Sequence, residues 1–170
     1  MVLTHLHSDH DGGLAHFPAS RILADGDETA RAAGMSGALR GYLPSRWPKW
    51  FDPQPLAWQP LRCGPFARSA PITAAGDIIA VPTPGHTPSH VSAIVRDGAE
   101  QIMLAGDTSY LETTMLRGMV DGVSPDDAVA KATLGDIREL CAGYPTIYLP
   151  THDPQSAERL DARVTVTAAN

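Results

Sequence analysis

Four potential metal ligands stand within six residues near the start of the chain, as His-x-His-x-Asp-His at positions 5–10. His5 and His7 are two residues apart on a predicted strand end, so their side chains point the same way and can bind one ion. The chain then turns, and Asp9 and His10 can face a second ion beside the first. In a chain of this composition the pattern should arise by chance about once in a thousand sequences. Imidazole and carboxylate donors without thiolate favour Zn²⁺, with Mn²⁺ and Fe as alternatives.

Three further candidate ligands each come directly after a predicted strand. His86 lies in Thr-Pro-Gly-His-Thr-Pro, Asp107 lies in Ala-Gly-Asp-Thr, and His152 follows Tyr-Leu-Pro-Thr. Ligands at the ends of several strands converge at one edge of a sheet, where α/β proteins usually build their sites. The sequence therefore predicts that these three side chains join the four of the histidine motif in one metal centre.

Composition bounds the class of protein. A length of 170 residues fits one domain with a hydrophobic core. The net charge of -6 argues against nucleic acid or an anionic membrane as a partner. The start of the chain lacks a basic segment followed by an apolar one, so we expect a cytoplasmic protein. Cys63 and Cys141 are too few for a disulfide framework and are interpreted as small apolar residues.

Apolar and β-branched runs alternate with helical patterns and predict an α/β layered fold. Strands are predicted at 2–7, 21–24, 77–81, 90–96, 101–105 and 146–149, and a short helix at 27–33. The clearest helix has Ser124 as its predicted N-cap and ends at Gly143. Its predicted apolar face consists of Val129, Ala132, Thr133, Ile137, Leu140 and Cys141.

Residues 41–71 differ in composition from the rest of the chain. They contain seven of the 15 prolines (44, 48, 53, 55, 60, 65 and 71) and all three tryptophans. Proline at this density excludes a regular helix or a central strand. A long surface excursion of this kind is often a lid or a binding loop.

Taken together, the motifs resemble those of the metallo-β-lactamase superfamily of dinuclear metal hydrolases: His-x-His-x-Asp-His, then Gly-His-Thr-Pro at 85–88, Gly-Asp at 106–107 and a late histidine. Within it, the segments at 84–90, 106–110 and 149–153 make the chain most similar to the N-acyl-homoserine lactonases, which quench quorum sensing. The resemblance implies an αββα sandwich and a single hydrolase domain over residues 1–170, with 41–71 as the substrate loop. His16 and His90 match no ligand position of the family, so we expect packing or support of a ligand from them.

The resemblance also implies how the site works. Two Zn²⁺ ions would be held, one by His5, His7 and His86, the other by Asp9, His10 and His152, with Asp107 bridging both. A metal-bridging hydroxide would attack the lactone carbonyl, since two metals lower the pKa of bound water. Tyr110 would bind the carbonyl oxygen, and Asp9 would carry a proton to the leaving alkoxide. The apolar side chains of the substrate loop would contact the acyl tail: Trp47, Trp50, Phe51 and Trp58.

Alternatives remain open at this point. Tyr110 and the tryptophans are equally well interpreted as packing residues. The scaffold also suits a thioesterase of the glyoxalase II kind, an arylesterase, or a metal-binding protein without turnover. Family members carry a block of strands before the histidine motif, whereas only four residues precede His5. We therefore expect a truncated form that lacks most strands of the first sheet, and that is poorly soluble, unstable or a homo-oligomer through the uncovered sheet.

Overall fold

The structure, a computed structural model, describes residues 1–33 and 37–167. The chain forms two compact units, Met1–Leu56 and Ala57–Asn170, and each has its own hydrophobic cluster. The prediction of one domain over the whole chain stays a prediction. Within the described residues, no helix combines the length and the apolar character that crossing a membrane requires.

The first unit is built from short elements. These are α1 (Ser8–Asp11), β1 (Leu23–Ala24), α2 (Gly26–Ala32) and β2 (Gln54–Pro55), with 3₁₀ turns at Leu14–His16 and Pro44–Arg46. The strands β1 and β2 pair in parallel. The Asp25 carboxylate caps α2, because it accepts hydrogen bonds from the first backbone N–H groups of that helix. The buried apolar side chains of this unit are Leu3, Leu6, Leu14, Ile22, Ala24, Ala32 and Tyr42.

Two predictions for this unit need correction. The strand predicted at 2–7 does not form: Val2 makes only an isolated bridge to Leu23, and α1 begins at Ser8 with His7 as its N-cap. The strand predicted at 21–24 is reduced to its last two residues. The helix predicted at 27–33 is present, one residue earlier at each end.

The second unit contains a five-stranded sheet in the order β3-β4-β5-β6-β7. Its strands are β3 (Ala70–Pro71), β4 (Ile78–Pro82), β5 (Val91–Asp97), β6 (Glu100–Gly106) and β7 (Thr146–Pro150). Neighbours are antiparallel except β6 and β7, which are parallel. Its helices are α3 (Glu112–Leu116), α4 (Asp127–Gly143) and α5 (Ser156–Asp161). The four strands predicted after residue 76 are therefore confirmed to within a residue or so at each end.

A row of side chains crosses this sheet and packs against α4. Ile79, Ile94, Met103 and Tyr148 are direct partners in the registers of β4 to β7, and all four are buried. They share one cluster with the buried residues of α4, including Leu134. Burial of this row and of the helix face beneath it provides the main hydrophobic stabilisation of the unit.

The start and the buried face of α4 differ from the prediction. Asp126, not Ser124, is the N-cap, because its carboxylate accepts from the N–H groups of the first turn while the Ser124 hydroxyl donates to Asp121. The face that meets the sheet consists of Ala130, Thr133, Leu134, Ile137, Leu140 and Cys141. Val129 and Ala132 are exposed, so the buried stripe is rotated toward Ala130 and Leu134 relative to the predicted one.

Residues 41–71 form no helix longer than a 3₁₀ turn and no strand longer than two residues, as the prolines predict. Pro71 lies in β3, which is an edge strand of the five-stranded sheet. Proline is tolerated there because an edge strand needs fewer backbone donors.

Candidate metal centre

The histidine motif of the first unit is folded into a tight turn that brings its imidazoles together. His5 Nε2 lies 3.1 Å from His7 Nδ1, and the rings of His5 and His10 have centroids 4.1 Å apart. Asp9 extends to the outside, with its side chain 58% exposed and its carboxylate 3.7 Å from His10 Nε2. The local fold thus gathers three imidazoles and leaves one carboxylate at their solvent side.

Two residues that the sequence did not single out support this turn from beneath. The buried Glu28 carboxylate accepts hydrogen bonds from the Leu6 N–H at 3.2 Å and from the Tyr42 hydroxyl at 3.0 Å. The Tyr42 ring packs on the His7 ring at 4.9 Å. Gly41 has φ +89, and a Cβ there would lie 3.3 Å from the His7 ring, so the backbone approaches this imidazole closely. In the sequence Glu28 has the appearance of an ordinary first-turn helix acid, and Tyr42 that of a loop residue.

In the second unit, three predicted ligands lie at one edge of the sheet. Strands β4 and β6 both run antiparallel to β5, and β7 is parallel to β6, so the carboxyl ends of all three strands meet there. Asp107 Oδ2 lies 3.1 Å from His152 Nε2 and 3.6 Å from His86 Nε2. The expected convergence of these strand ends is confirmed, and it gives one carboxylate oxygen two imidazole neighbours.

Asp121 fixes the orientation of His86 and was not predicted. Its Oδ2 lies 2.6 Å from His86 Nδ1, so the Nδ1–H donates to the carboxylate and the lone pair of Nε2 faces the Asp107 side. Burial raises the pKa of Asp121, but hydrogen bonds from His86 and Ser124 outweigh it and lower the pKa to about 2. A carboxylate behind a histidine in this way is typical of metal-binding histidines, because it sets the tautomer and raises the basicity of the ring.

His90 holds the backbone of Asp107 through a chain of hydrogen bonds. The Asp107 N–H donates to His90 Nε2 at 3.0 Å, so the proton of the neutral ring is on Nδ1 and is donated to Thr83 Oγ1 at 2.9 Å. The Ser92 hydroxyl donates to the Ala105 carbonyl, which leaves Thr83 as the donor to Ser92. The supporting role expected of His90 agrees with this geometry. His16, by contrast, is exposed at the end of its 3₁₀ turn.

The segment after Asp107 is fixed by a group of hydroxyls. The buried Tyr148 hydroxyl lies 2.8 Å from Thr108 Oγ1 and 2.9 Å from Ser109 Oγ. Tyr110 follows at the rim, 38% exposed, with its ring 5.2 Å from that of His152 and 6.1 Å from that of His86. The structure therefore brings Tyr110 next to two of the predicted ligands of this unit, with its ring accessible to solvent.

The predicted substrate residues are divided between the two units. In the first, Trp47 and Phe51 have ring centroids 4.9 Å apart, and Trp50 is 37% exposed. In the second, the Arg68 guanidinium lies 4.9 Å above the Trp58 ring, which is a cation–π contact.

The donor set suits a divalent transition metal. Both units offer imidazole nitrogens next to a carboxylate, and both cysteines belong to the hydrophobic cluster of the second unit. Nitrogen and oxygen donors without thiolate are compatible with Zn²⁺, Mn²⁺ or Fe. The His86 tautomer, with Nδ1 bound to a carboxylate, is the form that leaves Nε2 able to bind a metal.

Comparison with known proteins agrees with this chemistry. A family model described as the metallo-beta-lactamase superfamily matches residues 1–152. The chain belongs to this superfamily, since the match takes in most of its 170 residues.

Individual relatives are more distant. The chain is 34% identical over 128 residues to a probable metallo-hydrolase of Mycobacterium tuberculosis, an alignment that covers 72% of this chain and 39% of the relative. It is 25% identical over 158 residues to the N-acyl homoserine lactonase AttM of Agrobacterium fabrum, covering 92% and 58%. The chain thus spans about two to three fifths of the curated relatives it matches.

Solved structures show the same fold. An N-acyl homoserine lactone hydrolase with N-hexanoyl-L-homoserine bound at its catalytic metal center superposes with a TM-score of 0.71 at 19% identity, over 92% of this chain and 56% of that one. A dizinc quorum-quenching lactonase gives a TM-score of 0.64 at 19% identity, over 90% and 56%. At this level of identity the likeness establishes the metallo-β-lactamase fold.

Proposed function

We propose that the chain is a metal-dependent hydrolase that opens the lactone ring of N-acyl homoserine lactones. The observation that carries the proposal is the arrangement of Asp107 between His86 and His152, with Asp121 behind His86. Structural packing alone does not require a buried carboxylate within 3.6 Å of two imidazole nitrogens, one of them oriented by a second carboxylate. The family motif and the likeness to AttM favour a lactone as the substrate.

The ligand assignment follows the family pattern and belongs to this proposal. His5, His7 and His86 would hold one ion, Asp9, His10 and His152 the other, and Asp107 both. When bound, such ions lower the pKa of water to about 7 and polarise a carbonyl group. Two contacts in the second unit support the assignment: Asp121 keeps His86 in one tautomer, and His90 fixes the backbone of Asp107.

In this proposal two side chains would act on the substrate. The Tyr110 phenol, at the rim beside His86 and His152, would donate a hydrogen bond to the lactone carbonyl oxygen as negative charge develops there. The exposed Asp9 carboxylate would accept the proton of the water oxygen that adds to the carbonyl carbon, and would pass it to the ring oxygen that leaves as the C–O bond breaks. The product is an N-acyl homoserine. Trp47, Trp50, Phe51 and Trp58 would contact its acyl chain.

A comparison of substrates tests the proposal. The purified chain, supplied with Zn²⁺ or Mn²⁺, is assayed with N-hexanoyl homoserine lactone, a glutathione thioester and an aryl acetate. We expect the lactone to give the highest kcat/KM, and D107A to abolish its turnover, because the proposed bridging carboxylate is lost. H16A is the matched control, since His16 is an exposed histidine outside the site. A preference for the thioester or the aryl ester, or full activity of D107A, would contradict the proposal.

A further inference from the structure

Asp11 is a buried acid directly after the histidine motif, and it matches none of the proposed ligand positions. It ends helix α1, and only 4% of its surface is exposed. Its Oδ2 accepts a hydrogen bond from the Trp47 indole Nε1–H at 2.5 Å. Asp11 and Trp47 are 36 residues apart in the chain. This bond therefore joins the turn of the histidine motif at 5–10, here called the metal-binding turn, to the proline-rich segment at 41–71.

Trp47 in turn holds an aromatic partner. It follows the 3₁₀ turn Pro44–Arg46, and its ring meets that of Phe51 at an interplanar angle of 59°. Both rings are partly buried against the hydrophobic cluster of the first unit, and part of each remains exposed. A pair of aromatic rings of this kind offers a large apolar contact area with few rotatable bonds.

The hydrogen bond between Asp11 and Trp47 has a clear physical reason to persist. Leaving a buried carboxylate without a donor lowers the free energy of unfolding by more than losing a hydrogen bond between neutral groups does. The reason is that the charged group must still be removed from water. The indole N–H is the donor that satisfies it, so the ring is held in one orientation. A surface fixed in advance loses less entropy when a flexible chain binds to it.

We propose that the Asp11–Trp47 hydrogen bond is a latch that holds Trp47 and Phe51 as the contact surface for the substrate's acyl chain beside the metal-binding turn. Asp11 is then a positioning residue, and Trp47 determines chain-length specificity. The inference rests on the proposed lactonase function and deepens it. The latch is proposed to act on recognition of the acyl chain, so equal metal content of the variants is part of its test.

Three substitutions separate the elements of the latch. D11A removes the acceptor, W47F removes the donor but keeps an aromatic ring, and D11N keeps an acceptor oxygen without the charge. Each buried methylene contributes a factor of about four to binding, so loss of contact with two of them lowers kcat/KM by about tenfold or more. In D11A and W47F we expect kcat/KM for N-decanoyl homoserine lactone to fall by about tenfold relative to N-butanoyl homoserine lactone. D11N should keep the wild-type ratio, and metal content should be equal in all three.

A fluorescence measurement tests the latch without relying on activity. In a W50F/W58F background Trp47 is the remaining tryptophan of the three in the chain. Adding D11A should shift its emission to longer wavelength and increase quenching by acrylamide, whereas D11N should leave both unchanged.

The outcomes are distinguishable. Unchanged Trp47 emission and quenching in D11A would overturn the latch, whatever the activity. An unchanged chain-length profile in D11A and W47F, in an enzyme that opens lactones, would overturn its role in specificity. If the wild-type chain opens no lactone of any length, the proposed function fails and the specificity role with it, while the fluorescence result still decides the latch. If D11A does not fold, D11L, which also removes the acceptor, takes its place in both measurements.

Discussion

Asparagine and glutamine at position 90 separate the two hydrogen bonds that the His90 imidazole makes. The amide nitrogen of asparagine takes the place of Nδ1 and can donate to Thr83, but leaves the Asp107 N–H without its acceptor. The amide oxygen of glutamine takes the place of Nε2 and can still accept from Asp107, but leaves Thr83 without its donor. The two variants therefore test which end of the hydrogen-bond chain matters for the metal centre.

The expected loss of stability in H90N follows from the burial of the Asp107 N–H. The Asp107 N–H lies in the interior, and a buried donor without a partner costs about 1–3 kcal/mol. H90N should therefore lower the free energy of unfolding of the metal-free chain by about that amount. Loss of a group that supports a metal ligand typically weakens metal binding by about 10- to 100-fold, which we expect for H90N. H90Q should bind metal almost as the wild type does.

Competition with a chromophoric chelator measures the metal affinity of each variant, and urea denaturation of the metal-free chain measures stability. H16N serves as control, because His16 is exposed and should change neither quantity. Equal metal affinity of H90N and the wild type would refute the idea that His90 positions Asp107. A weaker affinity of H90Q than of H90N would refute it as well.

Three further predictions concern stability. The pKa of Asp121 in the folded chain is about 2, below its usual value of 3.8. Its contribution to stability is therefore present above pH 3.8 and is lost as the pH falls through about 2. Urea denaturation of the metal-free chain between these pH values should show a loss of stability in the wild type that D121N lacks. L134A should destabilise the chain by about 2–5 kcal/mol, because Leu134 is fully buried beneath the sheet. V129A, on the exposed side of the same helix, is the control. Equal losses of stability in the two variants would contradict the packing of this helix on the sheet. R159M should cost about 3–5 kcal/mol, because it leaves the buried Asp153 carboxylate without the guanidinium at 3.0 Å; an unchanged denaturation midpoint would contradict this.

Where local signals and burial agree, the sequence predicts the structure well. Strands β4 to β7 are short β-branched or apolar runs between turn residues, a pattern that indicates strands. The convergence of His86, Asp107 and His152 follows from the same pattern, because each comes directly after a strand that ends at the same edge.

The misses have physical causes. Ser124 and Asp126 are both good N-cap residues, and only the position of Asp121 decides between them, since it binds the Ser124 hydroxyl. The strand predicted at 2–7 does not form: Val2 makes only an isolated bridge to Leu23, and the motif already turns at His7, the N-cap of α1.

The buried acids that hold other side chains in place could not be recognised from the sequence, for a different reason. Glu28, Asp121 and Asp11 are single acids in ordinary positions, and their roles depend on partners 14 to 36 residues away. A sequence pattern shows which donors are present, but not which side chain orients them.

Metal analysis combined with lactone hydrolysis tests whether the chain is a metal-dependent lactonase. The purified chain is assayed with N-hexanoyl homoserine lactone as isolated, after removal of metal by a chelator, and after metal is restored, with metal content measured at each stage. We expect two ions per chain, loss of ring opening when the ions are removed, and recovery of ring opening when they are restored. Ring opening that survives removal of the metal, or a fully metal-loaded chain that leaves every lactone intact, would contradict it.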